Sequence, residues 1–185
     1  MIAALRAAAD FTAPTIDYHA LAPEIVLGVG ICMVLLIDLF VDERLRWITS
    51  SITGFVLLAA FIPVVTVGVI GDDVRSMFDG RYVIDEFALV LKALFVLAGY
   101  VVVLLSSDEI EEGGYYRGEY YVLLLSSALG MVMMASSRDL VSIFISLEFL
   151  SIPAYMLAAW NKRSSKSNEA GVKYYLIGVF ASAVM

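Results

Sequence analysis

Leu140 to Ala159 reads LVSIFISLEFLSIPAYMLAA. The run is 20 residues long and apolar apart from its hydroxyls, one proline and one full charge. As a helix rising ~1.5 Å per residue it spans ~30 Å, the thickness of a bilayer core. Its charge, Glu148, stands almost at the midpoint. A carboxylate there costs roughly 2.5–3.5 kcal/mol on insertion scales, and by default such a group marks an ion path. Ser151 and Tyr155 follow at i+3 and i+7, so one helix face carries the acid and two hydroxyls. Pro153 lacks the amide hydrogen that would bond the Phe149 carbonyl, which predicts a kink one turn past the acid. The competing reading has Glu148 neutral, bonding a neighbouring helix as structural glue.

The surrounding composition agrees with a membrane setting. Of 185 residues, 61% are hydrophobic and 17% charged, with a mean hydropathy of +0.88. A soluble domain is nearer 45–50% apolar and about 25% charged. The fold class is therefore an all-α polytopic membrane protein. The net charge of −7 and the scattered basic residues point away from a nucleic-acid partner. One cysteine, Cys32, excludes a disulfide within the chain and any CxxC site. The one histidine, His19, reads as an interfacial cap, because no second ligand stands at metal-site spacing. No metal site is predicted. Met1 to Asp10 lacks the pattern of a secretory signal.

About six spans are predicted. Residues 1–20 are a polar lead, with a surface helix (IAALRAAA) and a turn at Pro14. Residues 21–106 hold three spans: Ala22 to Phe40, Trp47 to Ile70, and Phe87 to Ser106. Pro23 and Glu24 suit a first helical turn. Gly28 and Gly30 suit close helix packing rather than a nucleotide loop. VDERLR (41–46) is a charged connection, and Asp38 stays near water. Gly71 to Glu86 is a long acidic loop in which Asp85 caps the third span. Lys92 is that span's only charge. Its favoured reading is a long stem snorkelling to the headgroups, and its sharper one is a partner for a buried acid.

Residues 107–118 are an acidic loop. Tyr115, Tyr116, Tyr120 and Tyr121 read as an interfacial aromatic belt. The fourth span, Glu119 to Ala135, packs closely at Ala128 and Gly130, with Met131, Met133 and Met134 as filler. The short turn at Ser136 to Asp139 makes it an antiparallel hairpin with the Glu148 helix. Asn168 and Glu169 read as the N-cap and first-turn acid of a last span, Ala170 to Met185. That span stops after 16 residues without a cap, where about 20 are needed. The chain is therefore expected to be the N-terminal part of something longer. Among loop residues, Arg6, Arg75, Arg81 and Arg138 fall on the N-terminal side. Arg44, Arg46, Arg117, Lys162, Arg163 and Lys166 fall opposite. The excess predicts an N-terminus outside and the Lys162 loop in the cytoplasm.

Lys173 is the last span's only charge. Glu169 at i−4 offers it a local surface pair. Glu148 offers a deeper one: at ~1.5 Å per residue the two depths differ by about 10 Å. Burial raises a carboxyl pKa and lowers an ammonium pKa, and an opposite charge nearby reverses both shifts. Bringing acid and amine together and parting them would load and release protons.

Three stretches also carry a resemblance. GEYYVLLLSSALGMVMMASSRDL (118–140), SLEFLSIPAYMLAAW (146–160) and EAGVKYYLIGVFASAVM (169–185) resemble successive helices of the antiporter-like membrane subunits of proton-pumping NADH–quinone oxidoreductase, respiratory complex I. PEIVLGVGICMVLLIDLF and DEFALVLKALFVLAGYVVVLLS agree, and among these subunits the N-type is most similar. The resemblance runs from about Tyr18 to the end. It implies a subunit of ~14 spans in which 21–106 are three peripheral helices. Residues 119–185 would then begin the first five-helix half-channel, cut off in the sixth helix. It implies that Glu148 is the relay glutamate and Lys173 its lysine partner; Lys92, from its own position in the third span, is a further relay candidate. It implies no cofactor in this chain, with NADH, FMN, iron–sulfur clusters and quinone held or used by partner subunits. The implied partners are neighbouring antiporter-like and small transmembrane subunits and the lipid bilayer. The implied location is the bacterial inner membrane. A related cation–proton antiporter or membrane hydrogenase subunit, or a purely structural anchor, are the alternatives.

Overall fold

The computed structural model describes residues 16–40, 47–70, 74–112 and 117–185. Six helices and one small hairpin follow in order: α1 (Ala22–Phe40), α2 (Trp47–Ile70), β1 (Arg75–Met77), β2 (Tyr82–Ile84), α3 (Glu86–Glu112), α4 (Arg117–Ser136), α5 (Leu140–Ala158) and α6 (Ser165–Val184). The first two spans and the fifth match the sequence reading almost residue for residue. Their charged flanks set where an apolar helix leaves lipid. Among the described residues, five helices are long and apolar enough to cross a bilayer. The sixth is long enough but begins SKSNEAGVK, and that polar start keeps it below the others.

Helices α1 to α4 pack in sequence and close into a bundle, because α4 returns to lie against α1 as well as α3 and α2. Helix α5 packs on α4, and α6 on α5. The core therefore centres on α4, where Tyr121, Leu125, Ala128 and Val132 meet Leu27, Leu57 and Val96. Small residues let the backbones close up. A methyl at Gly30 would stand 2.9 Å from Val56 Cγ2, so this glycine is a contact point of α1 on α2. Gly28 faces open space and plays no such part.

Several expectations change. The third helix does not end at Ser106 but continues through Ser107 and Asp108 to Glu112, and α4 already begins at Arg117, so residues 107–112 and 117–118 of the predicted loop are helical. Tyr120 and Tyr121 are not a lipid-facing belt. Tyr121 is buried, Tyr120 stands edge-on to it at 5.3 Å, and Trp160 packs on Tyr120 at 5.4 Å. Asn168 is not an N-cap. Helix α6 starts earlier, at a cap made by Ser164, whose hydroxyl accepts from the Ser167 amide at 3.5 Å. Asn168 instead donates to the Lys162 carbonyl at 3.1 Å. The lead helix in residues 1–15, the 41–46 connection, and Tyr115 and Tyr116 lie outside the described residues.

The first long loop folds as an antiparallel hairpin, which the acidic composition concealed. Its turn runs through Phe78, Asp79 and Gly80, all at positive φ. Asp-Gly between alternating apolar residues is a hairpin signal in its own right. The hairpin covers a second small core of Ala20, Val67, Met77, Tyr82 and Ile84 at one end of the bundle. Asp85 caps α3 as expected, accepting from the Ala88 amide at 2.8 Å. It also pairs with Arg138 in the α4–α5 turn.

Candidate functional site

Glu148 sits in the middle of α5, which Asp139 starts by accepting hydrogen bonds from the amide and hydroxyl of Ser142. Pro153 lies within the helix, which runs on to Ala158. The opposite wall is α4, and the two backbones nearly touch beside the acid. A methyl at Gly130 would stand 2.8 Å from Leu150 Cα and from the Phe149 carbonyl carbon. The Ser127 hydroxyl crosses the seam to the Leu150 carbonyl at 3.2 Å.

The half-buried Glu148 lines an open cleft of about 370 Å³ with Ser126, Phe144, Ile145, Phe149, Ile152 and Pro153. Ser126 is the one other polar side chain there, and its hydroxyl is turned to the Val122 carbonyl. Among the described residues Glu148 has no hydrogen bond and no ion pair. The expected polar face is only partly present. Ser151 bonds back to the Leu147 carbonyl, and Tyr155 packs edge-on against Tyr174 and Tyr175 of α6, over Gly178.

Lys173 is not brought to Glu148. Its ammonium is 2.5 Å from Glu169 one turn earlier, and the pair is exposed, at 69% and 62%. The local reading of Lys173 therefore describes its contacts here.

Lys92 does not snorkel. It is wholly buried, 2.5 Å from Glu24 Oε1 of α1. Tyr82 of β2 donates its phenol to the same oxygen at 2.5 Å, and Lys92 lies 3.5 Å from that phenol and 5.2 Å from its ring centre. Burial first, then the Glu24 carboxylate, push the Tyr82 phenol above its ordinary pKa. Among the described residues Glu24 Oε2 is buried without a partner, and the buried Ser136 hydroxyl lies against the Tyr82 phenol. The sequence reading missed Glu24 and Tyr82 as members of this cluster. A signal for Glu24 existed: α1 and α3 run the same way across the membrane, and the apolar run of α3 from Phe87 to Ser106 holds one charge, Lys92, opposite in sign to Glu24 in the first turn of α1. Tyr82 had none, since its position depends on the unforeseen hairpin.

Chemically, the two sites differ. The Glu24 charge is spent on a lysine and a phenol. The Glu148 carboxyl, by contrast, faces an open cleft and meets no charged or hydrogen-bonding partner among the described residues. Among the described residues no cluster of three or more metal-ligating side chains occurs.

Comparison with known proteins places these helices. Residues 137–185 match the family model described as the transmembrane region of NADH:quinone oxidoreductase and Mrp antiporters. A protein of Trichlorobacter lovleyi named NADH-quinone oxidoreductase subunit N is 37% identical over 171 residues, 92% of this chain and 34% of that one. A subunit N 2 of Koribacter versatilis is 36% identical over 184 residues, 94% of this chain and 36% of that one. The structure of respiratory complex I from Thermus thermophilus with bound aureothin contains a similar chain. Its TM-score is 0.70 at 30% identity, covering 87% of this chain and 34% of that one. This chain thus spans about a third of the length of the curated relatives it matches. It is similar to the antiporter-like membrane subunits of complex I in both sequence and fold, and to subunit N in particular.

Proposed function

We propose, from this similarity in sequence and fold to subunit N, that the chain is the N-terminal part of a proton-translocating membrane subunit of NADH–quinone oxidoreductase, with Glu148 as a proton-carrying group. One observation carries the reading: a carboxyl halfway through a membrane-spanning helix opens on a cleft and, among the described residues, is committed to no partner. Burying it unpaired costs free energy that a scaffold could avoid with leucine. Lys173 is the proposed second group. An exposed i,i+4 pair is worth only about 0.3–0.5 kcal/mol, so Glu169 releases the lysine cheaply when a deeper acid is offered. The chain would carry out no redox step. NADH, FMN, iron–sulfur clusters and quinone would be handled by partner subunits, and neighbouring antiporter-like and small transmembrane subunits would flank it in the inner membrane. Its N-terminus would face outside. The positions of Arg75, Arg81 and Arg138 at one end of the bundle, where Arg138 N–H donates to the Arg81 carbonyl at 2.9 Å, support grouping those charges on one side.

The test uses the full-length subunit in its complex, reconstituted in vesicles with NADH and a soluble quinone. Glu148→Gln keeps the shape and loses the charge. It should leave quinone reduction measurable and abolish most proton uptake. Lys173→Met should weaken pumping without loosening the helix. Undiminished pumping in Glu148→Gln would refute the role of the acid and leave a structural anchor. A second reading follows from the matched family model, which also covers Mrp antiporters: cation-dependent proton exchange without NADH or quinone would assign the chain there.

A further inference from the structure

Glu24, Tyr82 and Lys92 bring together α1, the extramembrane hairpin and α3, and nothing in a proton path through Glu148 requires them. A buried ion pair seldom beats well-packed apolar residues in stability, but it has few geometries that satisfy it. Here the geometry is tight. Both the ammonium and the phenol must reach one carboxylate oxygen, and the phenol reaches it only when the hairpin lies in one place.

From the hairpin the contacts run on to the α4–α5 turn. The backbone of Tyr82 bridges to Ser137, and the carbonyl of its neighbour Arg81 accepts from Arg138 N–H at 2.9 Å. The guanidinium of Arg138 pairs with Asp85 just past β2. The next residue, Asp139, is the cap from which α5 starts, and the Ser137 and Ser146 hydroxyls lie 3.3 Å apart across that start.

We infer that Glu24, Tyr82 and Lys92 are positioning residues: they seat the hairpin, and the seated hairpin fixes where the Glu148 helix begins. They neither touch Glu148 nor carry its proton. The consequence for pumping rests on the role proposed above for Glu148, whereas the seating does not.

Hydrogen exchange by mass spectrometry on the full-length subunit in its complex tests the seating directly. Lys92→Met leaves a buried carboxylate without its cation. Amides from Arg138 to Ile143 should then exchange at least about tenfold faster, while the middle of α2 stays unchanged. Tyr82→Phe keeps the ion pair and cuts only the link to the hairpin. It should loosen the same amides about threefold or more, and it decides the matter if Lys92→Met does not assemble. Combining Glu24→Gln with Lys92→Met removes both charges but leaves an amide oxygen for the phenol. Exchange at the turn, and protons moved per quinone reduced, should then return to near the starting values. A role confined to overall stability would lower the yield of complex without changing that ratio. Unchanged exchange at the turn in both Lys92→Met and Tyr82→Phe, or a uniform rise along every helix, would overturn the inference. If the turn responds but Glu148→Gln still pumps, the seating stands and the role of Glu148 falls.

Discussion

Gly130→Ala is the smallest change that tests the α4–α5 seam beside Glu148. The added methyl would meet Leu150 Cα and the Phe149 carbonyl carbon at 2.8 Å. The Leu150 amide nitrogen lies closer still, and carbon contacts become comfortable near 3.5 Å, so the helices must part by more than about 0.7 Å. The obstacle is backbone, which has no rotamer to change. Overpacking of this kind costs about 1–3 kcal/mol, and the upper end applies when nothing can yield. Alanine returns up to about 1 kcal/mol through its better helix propensity. The net expectation is a loss of about 2 kcal/mol in the α4–α5 contact, roughly 30-fold in the equilibrium between closed and parted helices. The Ser127 hydroxyl bond to the Leu150 carbonyl, 3.2 Å long, would be stretched as well. The assay is hydrogen exchange across α4 and α5 in the full-length subunit, alongside thermal inactivation of its activity. Faster exchange should centre on residues 127–133 and 147–153. If Gly130→Ala exchanges and survives heating like the parent protein, the helices do not meet as closely as described and the reasoning fails.

Two further outcomes follow from single contacts. At Gly30 the obstacle is a side chain: the methyl would crowd Val56 Cγ1 most, with Cγ2 at 2.9 Å and Cβ at 3.1 Å. Gly30→Ala should therefore destabilise less than Gly130→Ala, and adding Val56→Ala should restore most of the loss; an additive double variant in thermal melts would contradict the contact. Asp139 is held below its ordinary pKa, first by the Ser142 hydroxyl and also by the Ser142 amide. A carboxyl depressed in the folded state adds stability above the ordinary carboxylate range and loses it as pH falls through the folded value. Protection of the Ser142 amide, corrected for intrinsic exchange, should drop at acid pH. Asp139→Asn, an equally good cap, should match the parent near neutrality and show no such acid loss.

Much of the architecture was legible in one dimension. Long apolar runs between charged flanks fixed α1, α2 and α5, because hydrocarbon leaves the backbone no choice but a helix and water claims the flanking charges. The midpoint position of Glu148 followed from counting residues. So did the α4–α5 hairpin, since a turn of a few residues can only return the chain beside itself. Boundaries failed where polar residues continued a helix past the membrane, as at Ser107 to Glu112 and at Ser165 to Asn168. Composition marks the edge of lipid, and a backbone hydrogen-bond ladder does not have to stop there.

Partnerships were decided in three dimensions. Snorkelling and ion pairing both begin from a lysine near a helix end, and only the packing of α1 against its neighbours put Glu24 within reach of Lys92. Glu169 and Glu148 were both open to Lys173, and the rotation of α6 on α5 turned the lysine outward to the nearer acid. A sequence records which charges a membrane protein carries and how deep each lies. Which of them meet depends on the azimuth of each helix, and that is set by side-chain contacts such as Gly30 on Val56 and Gly130 on Leu150, made between residues far apart along the chain.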